Sequence, residues 1–208
     1  MLNVRRHMPT ATHITKILID EGIKARAHYQ VWWALDNRAL PKYFDAMNDW
    51  SYVDFFHAAN SGHYTLFLLS LSKIFDRDPR VAGIKELKRA LRAEGKTGLA
   101  NEIARLLKPH EKHVRSVIGI RNRSVVHNEY SVSIGKVYQS NGVAPNELRA
   151  LIDTACEAIN LSARDLGIIN PIFSSDRAER ATLNMLEVLA RGVKRNRTRT
   201  IRTVPPAS

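Results

Sequence analysis

The amino-acid sequence predicts an all-α protein, a helical bundle, on three observations. Apolar residues recur at three- and four-residue intervals through most of the chain, the spacing that turns one stripe of a helix into a core. Only one stretch, 130–146, carries a pattern that would suit strands. The length, 208 residues, suits one sizeable core, so a single domain is expected.

Residues 1–12 show no period and end in Pro9-Thr10-Ala11-Thr12, which reads as a flexible lead-in with Thr12 placed to cap the first helix. Over 13–37, Ile14, Ile17, Leu18, Ala25, Tyr29, Trp32 and Trp33 keep helical spacing despite Gly22. The two tryptophans continue that stripe and so read as core or dimer-interface bulk rather than a base-stacking platform. Pro41 marks a connection, after which Trp50, Val53, Phe56, Tyr64, Phe67, Leu71 and Ile74 follow one face of a long second helix to about Phe75. Asn60, Ser61, Gly62 and His63 put small and polar groups at its centre, where a helix can bend or approach another closely. His57 and His63 read as structural histidines.

Asp76-Arg77-Asp78-Pro79-Arg80 is a break, with Asp78-Pro79 suited to open the next helix and Asp76 read as a helix-end cap. Residues 81–93 form a short amphipathic helix with Ile84, Leu87 and Leu91 inward, closed by Gly95. The next pattern opens at Thr97 or Gly98, is kinked or broken at Pro109 and resumes through Asn128. His110 and His113 have the separation of two metal ligands on a helix, but no cysteine or carboxylate pattern accompanies them, so no metal is assigned. In 130–146, Val132, Ile134 and Val137 around Gly135 fit either a short hairpin or a loop over the preceding helix end, placed to contact a substrate.

Pro145 opens a fifth helix whose buried side holds Leu148, Leu151, Ile152, Ala155, Ile159 and Leu166. Asn170-Pro171 is a turn, and Ser175 is positioned to cap a last helix with Leu183, Leu186, Leu189 and Ala190 inward. The helical domain is therefore placed at 13–190, and the basic stretch 191–208 is expected to be disordered.

The formal charge of +12 points to a polyanionic partner, with nucleic acid foremost. Six basic residues lie between Arg191 and Arg202 with no acid after Glu187, so the tail fits either a solubilising end or an RNA contact. The longest apolar stretch, 64–71, is too short to cross a bilayer, and Met1 to Thr15 lacks the apolar core of a secretory signal. Cys156 is the only cysteine, which excludes an internal disulfide and suits a cytoplasmic location. No Walker A loop, dinucleotide glycine fingerprint or Gly-x-Ser-x-Gly elbow occurs, and no cofactor is expected.

The most informative stretch is Ile120-Arg121-Asn122-Arg123-Ser124-Val125-Val126-His127-Asn128-Glu129. Ile103, Leu106, Leu107, Val114, Val117, Ile118 and Val125 mark one buried stripe, and at about 100° per residue Arg121 falls on it. An unpaired buried guanidinium is costly, so Arg121 needs either an acid or an anion-filled cleft. His127 projects about 120° from Arg121 on an ideal helix, so a kink, a frayed turn or a second subunit is needed to bring the two together.

Arg121 followed by the polar Asn122, with His127 after five intervening residues, resembles the ribonuclease motif of the HEPN superfamily. The context "IRNRSVVHNEY" and the upstream "HYTLFLLSLSKIFDRDP" are similar to the abortive-infection U group within it. The resemblance implies an antiparallel four-helix core with extra helices and a metal-independent endoribonuclease. It also implies a homodimer with two motifs across a cleft, in a cytoplasmic toxin or antiphage effector with an antitoxin protein as a candidate partner. In that reading His127 acts as base or acid, Arg121 as the phosphate-binding cation, and Asn122 orients a phosphate oxygen or the histidine. Arg123, Asn128, Lys194, Arg195, Arg197 and Arg199 are assigned to RNA contact. The competing readings are a non-catalytic RNA-binding protein and a helical module that docks a partner.

Overall fold

The computed structural model describes residues 9–38, 42–122, 142–169 and 175–202, and among them every regular element is helical. The first helix, α1 (Ala11–Trp33), begins where the Thr10 hydroxyl accepts the His13 N–H at 3.2 Å. The N–H of Ala11 donates to the Glu94 carboxylate at 2.7 Å. Thr10 is thus the cap in place of the expected Thr12, which lies inside the helix. The first N–H groups of a helix need acceptors from outside it, and these two provide them.

Past Trp33 the backbone widens into a π turn, Ala34–Arg38. A single-turn helix, α2 (Phe44–Met47), precedes α3 (Val53–Ile74). Between them the Asp49 carbonyl accepts N–H groups from Tyr52 and Val53, and its carboxylate accepts that of Ser51. That turn shifts the helical phase, and Trp50, expected on the buried face, is 94% exposed. Helix α3 runs through Asn60–His63 without a break; the Ser61 hydroxyl bonds back to the His57 carbonyl at 2.9 Å.

The next helix, α4 (Ile84–Ala93), starts later than Asp78-Pro79 would have it. Asp78 is taken up locally, because the Arg80 side chain binds its carboxylate at 2.7 Å and holds its pKa down at about 2. Gly83 occupies the cap position instead. Gly95, at φ +78°, ends the helix with the Lys96 N–H reaching back to the Leu91 carbonyl at 2.8 Å, a left-handed closure that a side chain would strain. Then come α5 (Thr97–Leu107), a 3-10 turn at Lys108–His110 enforced by Pro109, and α6 (Glu111–Ile120). Pro145 opens α7 (Pro145–Asp165), where the Glu147 carboxylate reaches back to the Ala144 N–H at 2.8 Å. The last helix, α8 (Arg177–Arg202), extends into the stretch expected to be disordered. The expectation counted hydrophobicity, whereas the segment has no proline before Pro205 and is rich in lysine and arginine, which favour helix.

The chain divides into two compact units, Met1–Arg26 with Leu66–Ser174 and Ala27–Thr65 with Ser175–Ser208. In the first, α5 packs on α4 and α7, and α6 packs on α7. Its fully buried side chains include Leu18, Phe67, Leu71, Leu87, Ile103 and Leu151. In the second, α2 and the π turn pack on α8 around Leu35, Tyr43, Phe56 and Leu186. Trp32 is buried against Tyr64 with ring centroids 5.3 Å apart, which fits its reading as core.

Candidate functional site

Helix α6 is anchored by Val117 and Ile120, which are 0% and 2% exposed, and Arg121 leaves the last turn directly after them. The backbone widens into a π turn at Arg121 and Asn122, a departure from regular helix of the kind that recurs at functional positions. Asn122 is exposed. Arg121 lies 3.4 Å from the Asp76 carboxylate, with about a quarter of each side chain exposed (25% and 24%). Its Nε is buried and has no partner among the described residues. A guanidinium presents five N–H donors in a planar fork. Among the described residues, the single 3.4 Å contact to Asp76 is the only one that fork makes to an acid.

Of the two partners that would satisfy Arg121, an acid or an anion, the structure supplies an acid, Asp76, at long range. The sequence favours a helix-end cap for Asp76, with a site role as the alternative that an aspartate after Lys73-Ile74-Phe75 implies by family resemblance. One of its oxygens accepts the Asp78 N–H at 2.9 Å while the other faces Arg121. The segment that carries it is fixed by Gly83, where a Cβ would stand 2.8 Å from the Asp76 carbonyl oxygen and 3.3 Å from that of Ile74. No side chain fits that approach, so the glycine sets where Asp76 lies. Sequence reasoning missed Gly83, although a glycine directly before an amphipathic helix was visible.

Residues on either side of Asp76, Phe75 and Arg77, line a cavity of about 280 Å³ whose other walls come from α4, α5, the 3-10 turn and α6. Among the described residues it gathers Arg77, Lys85, Lys88 and Lys108 against a single acid, Glu111. Burial lowers the pKa of Lys88, and neighbouring Arg92 lowers it further. Sequence reasoning missed this cluster too, because Lys85 and Lys88 read as the solvent face of an amphipathic helix.

His127, Arg123, Asn128 and the 130–146 segment lie outside the described residues, as do the side chains of Lys194, Arg195, Arg197 and Arg199. The histidines among the described residues have local partners or lie at the surface. His110 sits 3.1 Å from the Thr154 hydroxyl and His113 3.3 Å from the Glu147 carboxylate, which ties the start of α6 to α7. Among the described residues no group of three His, Cys, Asp or Glu side chains could hold a metal ion. His63 meets His28, Nδ1 to Nδ1, at 2.9 Å, and burial lowers the pKa of both. His57 is exposed. Cys156 is buried, and that burial pushes its thiol pKa up to about 11, which leaves it unreactive near neutrality. No helix among the described residues is long and apolar enough to cross a membrane.

A model of the HEPN family AbiU2 matches residues 11–178. No curated protein and no solved structure matches the chain.

Proposed function

Because this chain belongs to the HEPN AbiU2 family, we propose that it is a metal-independent endoribonuclease and acts as a toxin or antiphage effector. The observation that carries the reading is the guanidinium of Arg121 at the end of α6, with a buried Nε that has no partner among the described residues and only a 3.4 Å contact to Asp76. A phosphodiester oxygen matches what that fork lacks. The all-helical architecture and the formal charge of +12 agree with the same reading.

In the proposed reaction, a base takes the proton of the ribose 2'-hydroxyl as its oxygen attacks phosphorus. The bond from phosphorus to the 5'-oxygen breaks, and an acid delivers a proton to that oxygen. The products are a 2',3'-cyclic phosphate and a 5'-hydroxyl. An imidazole has a reference pKa near neutrality, so His127 can hold either proton role, worth roughly 10²- to 10⁴-fold in rate. Arg121 neutralises charge that grows on the phosphoryl oxygens, and Asn122 orients one of those oxygens. A homodimer would supply a second His127, so that one acts as base and its mate as acid.

Partner docking is the competing reading, and one observation favours it: Phe44, Trp50 and Phe55 are 53%, 94% and 58% exposed in the second unit. An antitoxin protein or a second copy of the chain would cover such side chains. The discriminating experiment is cleavage of mixed cellular RNA in excess EDTA by the wild type, Arg121→Ala and His127→Ala, with end-group analysis. Cleavage by the wild type alone, leaving cyclic phosphate ends, is expected. Equal cleavage by all three would remove the motif from the chemistry, and an inactive wild type that still binds RNA would leave binding without catalysis.

A further inference from the structure

The cavity beside Asp76 has a composition that the hydrolytic reading does not use. Arg77, Lys85, Lys88 and Lys108 converge there from separate stretches of chain, and none of them is ion-paired to an acid among the described residues. Lys85 donates to the Arg77 carbonyl at 3.1 Å, which fixes both residues at the rim. Among the described residues Glu111 is the only carboxylate on the wall, so four cations there face one acid. Three lysines elsewhere in this unit do pair with acids: Lys24 and Lys73 with Glu21, and Lys96 with Asp165 at 2.6 Å. Like charges gathered around a concave space repel one another until an anion enters.

The rest of the wall is apolar, from Phe75, Leu107 and Val114. A cationic rim above an apolar floor matches a nucleotide, whose phosphate is charged and whose base is flat and apolar on its faces. The place of the cavity is equally specific. Phe75 and Arg77 line it, while Asp76 between them faces Arg121. Successive Cα atoms lie about 3.8 Å apart, so the cavity and the Arg121 fork are reached from neighbouring positions on one strand of backbone.

We propose that this cavity is a nucleotide-binding subsite that adjoins the Arg121–Asp76 pair and holds a residue of single-stranded RNA next to the bond being cleaved. This rests on the ribonuclease reading for its purpose, though binding can be measured apart from cleavage. Lys88 and Lys108 take the phosphate, and Phe75 contacts the base. A free nucleoside monophosphate shares that chemistry and is the other source of the same ligand.

The test uses the full-length protein and a short 2'-O-methyl oligoribonucleotide, which binds but offers no 2'-hydroxyl for attack. Affinity is read by fluorescence anisotropy across a salt series, for the wild type, for Lys88→Gln/Lys108→Gln, and for Lys16→Gln as an exposed control in the same unit. The double variant is expected to bind at least about tenfold more weakly, with its salt dependence flattened by roughly 1.4 in log–log slope for two lost contacts. Lys16→Gln is expected to match the wild type. Uridine 5'-monophosphate added as competitor separates the sources: displacement at low concentration assigns the cavity to isolated nucleotides, and resistance assigns it to the strand. Unchanged affinity in the double variant, or an equal loss in Lys16→Gln, overturns the subsite. If the wild type binds through the cavity but cleaves no RNA, the subsite stands and the ribonuclease reading falls. If cleavage is intact and the double variant binds normally, the reverse holds.

Discussion

The two units treat their polar groups differently. In the second, Glu187 accepts from Tyr43 at 2.8 Å and pairs with Lys42 at 2.9 Å, an arrangement that holds its carboxyl at about 2. Gln30 bridges to the start of α8 by donating to the Ser175 carbonyl at 2.7 Å, and His28 and His63 bond each other. These contacts lie beside the apolar cluster of Leu35, Phe56 and Leu186 and close on themselves. In the first unit, Arg121 Nε has no partner among the described residues, and Arg77, Lys88 and Lys108 line a cavity with Glu111 as the one described acid. Both units contain satisfied ion pairs, such as Lys96 with Asp165 at 2.6 Å in the first, and both hold single buried polar atoms with no partner among the described residues, such as Arg26 Nε and Asn60 Oδ1, so the contrast rests on Arg121 together with the cationic cavity beside it. Buried polar groups normally find partners, and a cluster that does not is arranged for something that arrives later.

That contrast can be broken most forcefully at the motif. His127→Ala is expected to lower RNA cleavage by about 10²- to 10⁴-fold, measured as initial rate in EDTA. A loss below tenfold would remove it as an acid or base. In the second unit the matching insult is Leu186→Ala, which empties a fully buried position and is expected to cost about 2–5 kcal/mol in denaturant unfolding. A value near zero would mean that the cluster does not hold α8.

Gly83→Ala joins the two kinds of effect. Its new methyl group would meet the Asp76 carbonyl oxygen at 2.8 Å, so the segment must shift, at a cost of about 1–3 kcal/mol. Cleavage should fall further than stability alone explains, because Asp76 and Arg77 move with it; unchanged cleavage would sever Asp76 from the site.

The smallest effect is the pH response of the His28–His63 pair. Folding lowers both pKa values, so the folded state disfavours protonation. The pair's contribution to stability is therefore complete above the ordinary histidine value of 6.5 and is lost as pH falls from there through the lowered folded values. The thermal midpoint of the wild type should drop on acidification more steeply than that of His28→Gln/His63→Gln. Parallel curves would show that the pair does not titrate with folding.

The helices were legible because their periodicity is local: α1, α4, α5 and α7 follow the stripes read from Ile14, Ile84, Ile103 and Leu148. What escaped depends on bonds that periodicity does not encode. Trp50 continues an apolar face in sequence, but the Asp49 turn rotates it into solvent. Asp78 has the composition of a cap and is occupied by Arg80. The division into units falls within α1 and α3, whose patterns run on unbroken. At the site, Arg121 was recognisable as a cation on a buried stripe, yet its partner lies 45 residues away. The cationic cavity was hidden for the same reason, since Lys88 and Lys108 stand on different elements and each alone resembles a solvated charge.

The contrast reduces to this: Arg121 and the cationic cavity of the first unit serve chemistry, while the closed contacts of Glu187, Gln30 and His63 in the second serve the fold. The most direct test pairs RNA cleavage with the thermal midpoint on the same preparations of Arg121→Ala and His63→Ala. The account predicts that Arg121→Ala loses cleavage while its stability stays within about 1 kcal/mol of wild type, as expected for a partly exposed ion pair with a long 3.4 Å contact. It predicts that His63→Ala keeps cleaving but loses about 1–3 kcal/mol, because His28 is left without its partner. An Arg121→Ala protein that cleaves like the wild type, or whose stability falls as far as that of His63→Ala, would contradict it.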